Sequence, residues 1–133
     1  MQGAQVVVRS FLWLAAFAAM PSWAVQPADQ LAALAAQAGR SPNPAQGQQF
    51  FTTRHGREWS CASCHTAQPV VEGKHANTGK TISALAPAFN PQRFTDPAKT
   101  EKWFRRNCND VLARECSAAE KADVLAWLIS LKR

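Results

Sequence analysis

Residues 61–65 read Cys-Ala-Ser-Cys-His, and no other feature of this 133-residue chain limits its possible folds so tightly. Two thiols with two residues between them match the spacing of the two vinyl groups of haem. The histidine after the second thiol then supplies an axial imidazole to the iron. The cysteine pair has two other chemical readings. A thioredoxin-like redox pair belongs inside a βαβ pattern, and nothing in the chain alternates that way. A zinc site needs a second C-x-x-C or a suitably spaced histidine pair; the remaining cysteines, Cys108 and Cys116, are too far apart from each other for that. The motif therefore predicts one covalent haem c, with thioethers at Cys61 and Cys64 and His65 as the proximal ligand.

The first residues predict export. Arg9 is the only charge before an apolar run, Phe11 to Met20, that ends in Pro21 and Ser22-Trp23-Ala24. The run is shorter than the ~18–20 apolar residues a membrane span needs, and small residues occupy the positions that a signal peptidase reads. Residues 1–24 are thus expected to be a cleaved signal peptide, leaving a periplasmic protein without a membrane anchor. Residues 25–133 are expected to be a single domain, small enough that a covalent haem would supply much of its core.

Both methionines, Met1 and Met20, lie in this leader, so residues 25–133 hold no thioether for the iron. The other candidates opposite His65 are His55, His75, the lysines and the asparagines. Imidazole is the strongest of these on general grounds. His55 precedes the first haem cysteine by six residues, and His75 follows the proximal histidine by ten. Chemistry alone leaves both His75 and an open coordination site standing. The formal charge is +6, of which Arg9 contributes one. No basic stretch is interleaved with aromatic residues, which argues against a nucleic-acid partner. The basic balance fits encounter with an acidic redox protein instead, because charge steers association.

The pattern beyond the motif predicts an all-α domain. Ala28 to Ala38 is rich in alanine and leucine and stops at Gly39. A second helix runs from Ala45 to about Arg54, with Gly47 three residues before Phe50, a spacing that allows close approach of another helix. The haem motif is expected in a turn after Trp59. Residues 69–90 read as a long loop, which is uncommon unless functional. Asp96-Pro97 marks a helix start; that helix carries Trp103 and Phe104 and is expected to end near Cys108. Ser117-Ala-Ala-Glu120 is a capping box opening a last helix with Val124, Leu128 and Leu131 on one face. No strand of convincing length is evident. This order is that of a class I cytochrome c fold, and Trp59 and Trp103 are candidate haem-pocket residues. Two spare cysteines in an exported protein usually pair. Joining Cys108 to Cys116 would close a short loop, worth ~2–3 kcal/mol.

Several blocks carry a more specific likeness: Thr78-Gly79-Lys80, Leu85-Ala86-Pro87, Asn90-Pro-Gln-Arg93-Phe94-Thr95-Asp96, Asn107-Cys108-Asn109-Asp110 and Cys116-Ser117. From Gln46 to Leu131 the chain resembles the Sphaeroides haem protein family, monohaem cytochromes related to class I and akin to cytochrome c″. In that family the distal ligand is the residue immediately before the first cysteine of an extra disulfide, a histidine in cytochrome c″ and an asparagine in the Sphaeroides-type proteins. The resemblance implies a Cys108–Cys116 disulfide and Asn107 as distal ligand of the ferric haem. A carboxamide oxygen suits Fe(III) better than the softer Fe(II), so reduction is expected to release Asn107 and leave an open site for dioxygen, nitric oxide or carbon monoxide. A dihaem cytochrome c is the electron donor the resemblance suggests, with a membrane b-type cytochrome upstream. The blocks do not include the first helix.

Two rival functions compete with this one. The first is a plain electron carrier, six-coordinate in both oxidation states, with His75 as distal ligand. The second is an enzyme such as a nitric oxide dioxygenase or a peroxidase, although the sequence shows no acid–base pair to serve one. Common to all three is the covalent haem. In alkaline pyridine the purified protein should give the haemochrome band of a haem with two thioether links, and the haem should stay with the denatured chain.

Overall fold

The computed structural model describes residues 24–133 and Gly3. Apart from Gly3 and Ala24, the expected signal peptide lies outside the described residues. The described elements are α1 (Pro27–Ala38), α2 (Pro44–Thr52), α3 (Ala62–His65), β1 (Gly73–Lys74), β2 (Thr81–Ile82), α4 (Pro97–Leu112) and α5 (Ala118–Ser130). None of these helices is long and apolar enough to cross a membrane.

Local chemistry sets most of the helix ends. In α1 the Asp29 carboxylate accepts the Gln26 N–H at 3.0 Å, and Gly39 stops the helix in a left-handed conformation, φ +66°. The Asn43 side chain accepts from the N–H groups of Ala45 and Gln46 to open α2. The expected range of α2 was one residue late at its start and about two long at its end. Asp96 caps α4 by accepting the Lys99 N–H at 3.0 Å. Ser117 and Glu120 cap α5 reciprocally, and Arg114 holds the Glu120 carboxylate at 2.7 and 2.8 Å.

Two expectations are corrected. The helix starting at Pro97 does not end near Cys108 but continues one turn to Leu112. Asn109 and Asp110 are weak helix formers that look like a stop in sequence. They are exposed, while Cys108 and Val111 on the opposite side are buried, so tertiary packing carries the helix over them. Secondly, the segment read as a strandless loop contains an antiparallel pair, Gly73 opposite Ile82 and Lys74 opposite Thr81. Two-residue strands are too short to produce an alternating pattern. The haem motif, expected in a turn after Trp59, forms the single helical turn α3.

Helix α5 is central, with α1 and α2 both packed on it. Every residue from Lys121 to Leu128 is buried. The predicted stripe, Val124 and Leu128 with Trp127, joins Phe51 of α2 in the main cluster. The rings of Phe51 and Trp127 lie 5.0 Å apart. Ala122 and Leu125, 1% and 0% exposed, form a second buried stripe, as a helix covered on two sides requires.

The α2–α5 crossing turns on Gly47. A Cβ at this position would lie 2.0 Å from the Asp123 carbonyl oxygen and 2.8 Å from the Val124 nitrogen. The Asp123 side chain ties the same crossing to the chain before α2. Its carboxylate accepts two bonds from Arg40, at 2.6 and 3.0 Å, and the Asn43 N–H at 2.7 Å. Burial alone would push the Asp123 carboxyl up, but the Arg40 and Asn43 bonds outweigh it and hold it below the ordinary value. Gly47→Ala should force the two helices apart and destabilise the holoprotein by about 2–3 kcal/mol, read as a lower urea midpoint.

Candidate haem site

The one-turn helix α3 aligns the motif. Ser60, buried, offers its N–H to the Ser63 hydroxyl at 2.9 Å and its carbonyl to the Ser63 N–H at 3.1 Å. The His65 N–H donates to the Cys61 carbonyl at 3.1 Å. Thr66, with φ +67°, ends the turn. Cys61 and Ala62 pack against the core cluster of Phe51, Val124, Trp127 and Leu128, and the ring of Phe51 lies 6.1 Å from that of His65. The motif is thus seated on the α2–α5 crossing.

The β1–β2 hairpin closes on the same turn. A Cβ on Gly73 would lie 2.0 Å from the Cys64 carbonyl oxygen and 3.0 Å from the His65 Cα, so only glycine permits this approach. The Ala76 N–H points at the Cys64 Sγ, 3.3 Å away. Beyond the hairpin, the Pro69 carbonyl accepts from Leu85 and Ala86 at 2.9 and 3.0 Å. These bonds fold residues 69–86 back on themselves and bring Leu85 onto the core cluster.

Residues 90–96 form the next wall. Phe94 adopts a left-handed backbone, φ +59°, and packs on the cluster with Phe104 of α4, the two rings 6.5 Å apart. The buried Gln30 of α1 donates to the Phe94 carbonyl at 2.7 Å. Arg93 donates through Nε to the Ala84 carbonyl at 3.0 Å and through Nη2 to the Ser83 carbonyl at 2.7 Å. No carboxylate among the described residues pairs with it, and burial depresses its pKa.

Several features fit a covalently held haem. The thiols of Cys61 and Cys64 are both free and lie on one turn. Burial pushes the Cys61 thiol up to about 11, so it is protonated at neutral pH. His65 is half-buried; burial first, then the charges of Arg93 and His75, hold its pKa down to about 4. The imidazole is therefore neutral at pH 7, with a lone pair to give a metal. Arg93 offers an unpaired cation for a carboxylate such as a haem propionate. Helices α1 and α2 each pack directly on α5, whereas α4 makes no comparably broad contact with them. Among the described residues no three His, Cys, Asp or Glu side chains converge on a metal position.

The remaining candidates are distributed as follows. Asn107 is half-buried on α4, one turn after Phe104 and next to Cys108. Phe104, Asn107, Cys108 and Val111 share the inward side of that helix by their three- and four-residue spacing. Cys108 and Cys116 are joined, with their Cα atoms 5.7 Å apart. Trp59 is half-buried just before the motif. Trp103 is 42% exposed, with the Arg106 guanidinium 5.6 Å from its ring centre. His75 sits in the hairpin, where its Nδ1 accepts the Thr78 N–H at 3.2 Å. The His55 ring stacks on Phe50 at 4.4 Å and its Nε2 bonds the Phe50 carbonyl at 2.8 Å.

Comparison with known proteins bears on this arrangement. Residues 37–128 match a family described as a domain of unknown function, DUF1924. The cytochrome c-type protein SHP of Cereibacter sphaeroides is 44% identical over 124 residues, spanning 89% of this chain and 95% of that protein. The chain belongs to the Sphaeroides haem protein family. Cytochrome c″ of Methylophilus methylotrophus is 49% identical over 80 residues, 60% of this chain and 56% of that protein. The structure of oxidised SHP, described as an oxygen-binding cytochrome c, superposes with a TM-score of 0.75 at 40% identity, covering 80% of this chain and 98% of that one. Oxidised cytochrome c″ gives 0.70 at 37%, covering 80% and 95%. The chain thus has the all-α cytochrome c fold and is a c-type cytochrome with a covalent haem c, as the motif predicts.

Sequence reasoning missed Gln30, Gly73 and the environment of Arg93. Gln30 and Gly73 belong to no motif, and Arg93 entered only as one letter of a family block. The pKa shift of His65 has a checkable sign. For the imidazole without its metal, stabilisation from staying unprotonated is complete above the ordinary value of 6.5 and is lost as the pH falls towards about 4. Arg93→Gln removes a charge that opposes protonation of His65. The acid transition of the ferric Soret band, which reports loss of the proximal imidazole, should therefore move to higher pH in that variant.

Proposed function

We propose that residues 25–133 form one exported monohaem cytochrome domain, made periplasmic by cleavage of residues 1–24, which binds a diatomic gas when reduced. In this reading Cys61 and Cys64 carry the thioethers, His65 is the proximal ligand, and Asn107 is the distal ligand of the ferric haem. Reduction releases Asn107 and opens the sixth position to dioxygen, nitric oxide or carbon monoxide. A protein redox partner supplies the electron.

The observation that carries this reading is the place of Asn107. It lies on the inward stripe of α4 with Phe104, which packs against the same cluster as Cys61. The adjoining Cys108 is bonded to Cys116. The helix backbone beside Asn107 is therefore tethered, which restricts the range over which its side chain engages or withdraws. A carboxamide oxygen is a hard, neutral and weak ligand that suits Fe(III) better than the softer Fe(II). No methionine in residues 25–133 competes for the position. After withdrawal, the Asn107 amide retains two N–H donors with which to hydrogen-bond a diatomic ligand. The description of SHP as an oxygen-binding cytochrome c supports the same class of function.

Optical and paramagnetic resonance spectra of wild type, Asn107→Ala and His75→Ala test the proposal. Asn107→Ala should lose the native ferric sixth ligand while its ferrous spectrum barely changes, and His75→Ala should leave both unaltered. Ferrous wild type should bind carbon monoxide. A low-spin ferrous haem indifferent to carbon monoxide would sink the reading in favour of a plain electron carrier. Steady turnover of nitric oxide to stoichiometric nitrate would favour an enzyme instead.

A further inference from the structure

Helix α4 carries a basic face directed away from the haem site. Lys99, Lys102, Trp103 and Arg106 recur at intervals of three, one and three residues, which places them on one stripe of the helix. All four are exposed. The stripe lies away from the inward side formed by Phe104, Cys108 and Val111. Asn107, one turn after Trp103, stands on its border. An exposed Arg105 adds a further cation nearby. Of the carboxylates on or capping this helix, Glu101 is occupied by Lys121 at 2.6 Å, which leaves Asp96 at the N-cap and Asp110 in the last turn as the acidic counterweights.

Trp103 is unusual in this setting. It and Val71 are the exposed large hydrophobic residues among those described. An indole in water leaves a large apolar area unburied. Here the Arg106 guanidinium lies 5.6 Å from the ring centre, within cation–π range. Tryptophan and arginine are the residues that most often dominate binding energy at interfaces, while charges around such an anchor steer encounter.

We infer that the Lys99–Lys102–Trp103–Arg106 face of α4 is the docking surface for an acidic electron-donor protein. The partner's chemistry is set by complementarity: three cations ring one aromatic anchor, so the matching surface carries carboxylates around an apolar contact. The stripe borders the residue assigned above as the redox-dependent ligand, so electron delivery and ligand release share one helix. The inference rests on the proposal that the haem is reduced by a protein.

Stopped-flow reduction of the ferric holoprotein tests it, with the hydroquinone of an acidic flavodoxin as protein donor and dithionite as small-molecule donor. The flavodoxin rate should fall as ionic strength rises. At low salt, Lys102→Glu combined with Arg106→Glu should slow it by about tenfold or more, with a far smaller effect on dithionite. Trp103→Ala should slow flavodoxin even at high salt, where steering is screened, while leaving dithionite reduction near the wild-type rate; equal slowing with both donors would return Trp103 to the haem pocket and overturn its part in docking. Arg54→Glu with Arg57→Glu changes the net charge equally and should have little effect. An equal slowing by that second pair, or no slowing by the α4 variants, overturns the docking surface. Carbon monoxide binding by the same ferrous samples reads the Asn107 proposal separately. Normal binding with no α4 dependence rejects the docking surface alone, and loss of binding in wild type rejects the Asn107 proposal alone.

Discussion

The close crossing of α2 and α5 at Gly47 is the constraint on which the rest of the molecule depends. A hydrogen at the Gly47 α-carbon lets the Asp123 carbonyl come where any side chain would collide. That approach sets Phe51 on Trp127 and builds the cluster against which Cys61 and Ala62 rest. Asp123 then uses its carboxylate to clamp Arg40 and the Asn43 N–H. One residue of α5 thereby fixes the depth of the crossing and the point at which α2 begins.

A small domain with a rigid platform on one side leaves the other side to be built from irregular chain. Residues 69–96 do this with few regular hydrogen bonds. Gly73 lies against the motif, the Pro69 carbonyl gathers Leu85 and Ala86, and Arg93 spans Ser83 and Ala84. The left-handed Phe94 costs of order 1–3 kcal/mol and is held by the Gln30 bond and the packing of its ring. Helix α4 completes the wall with a different kind of attachment. It is tied to the rest by the Cys108–Cys116 bond and the Lys121–Glu101 pair rather than by broad helix packing.

The parts of the site legible in sequence are those whose chemistry is local. Cys61, Cys64 and His65 are readable because vinyl spacing dictates their separation. The caps at Asp96 and Ser117 are readable because a side chain satisfies a backbone N–H three residues away. The end of α4 was not readable. Asn109 and Asp110 disfavour helix locally, and only the burial of Cys108 and Val111 overrides them. Asn107 was reachable only through family likeness, since nothing local distinguishes it from the other asparagines. Gln30 was out of reach because its partner, Phe94, is 64 residues away.

The sequence by itself determined the covalent haem and the helical order, and removed thioether ligation from residues 25–133. Each is a matter of residue identity and short spacing. Only the tertiary structure decided which side of α4 faces inward, how the hairpin sits on the motif, and that burial, with Arg93 close enough for its charge to add to it, keeps the His65 imidazole neutral. These depend on distances between segments far apart in the chain, which pattern does not encode and close packing does.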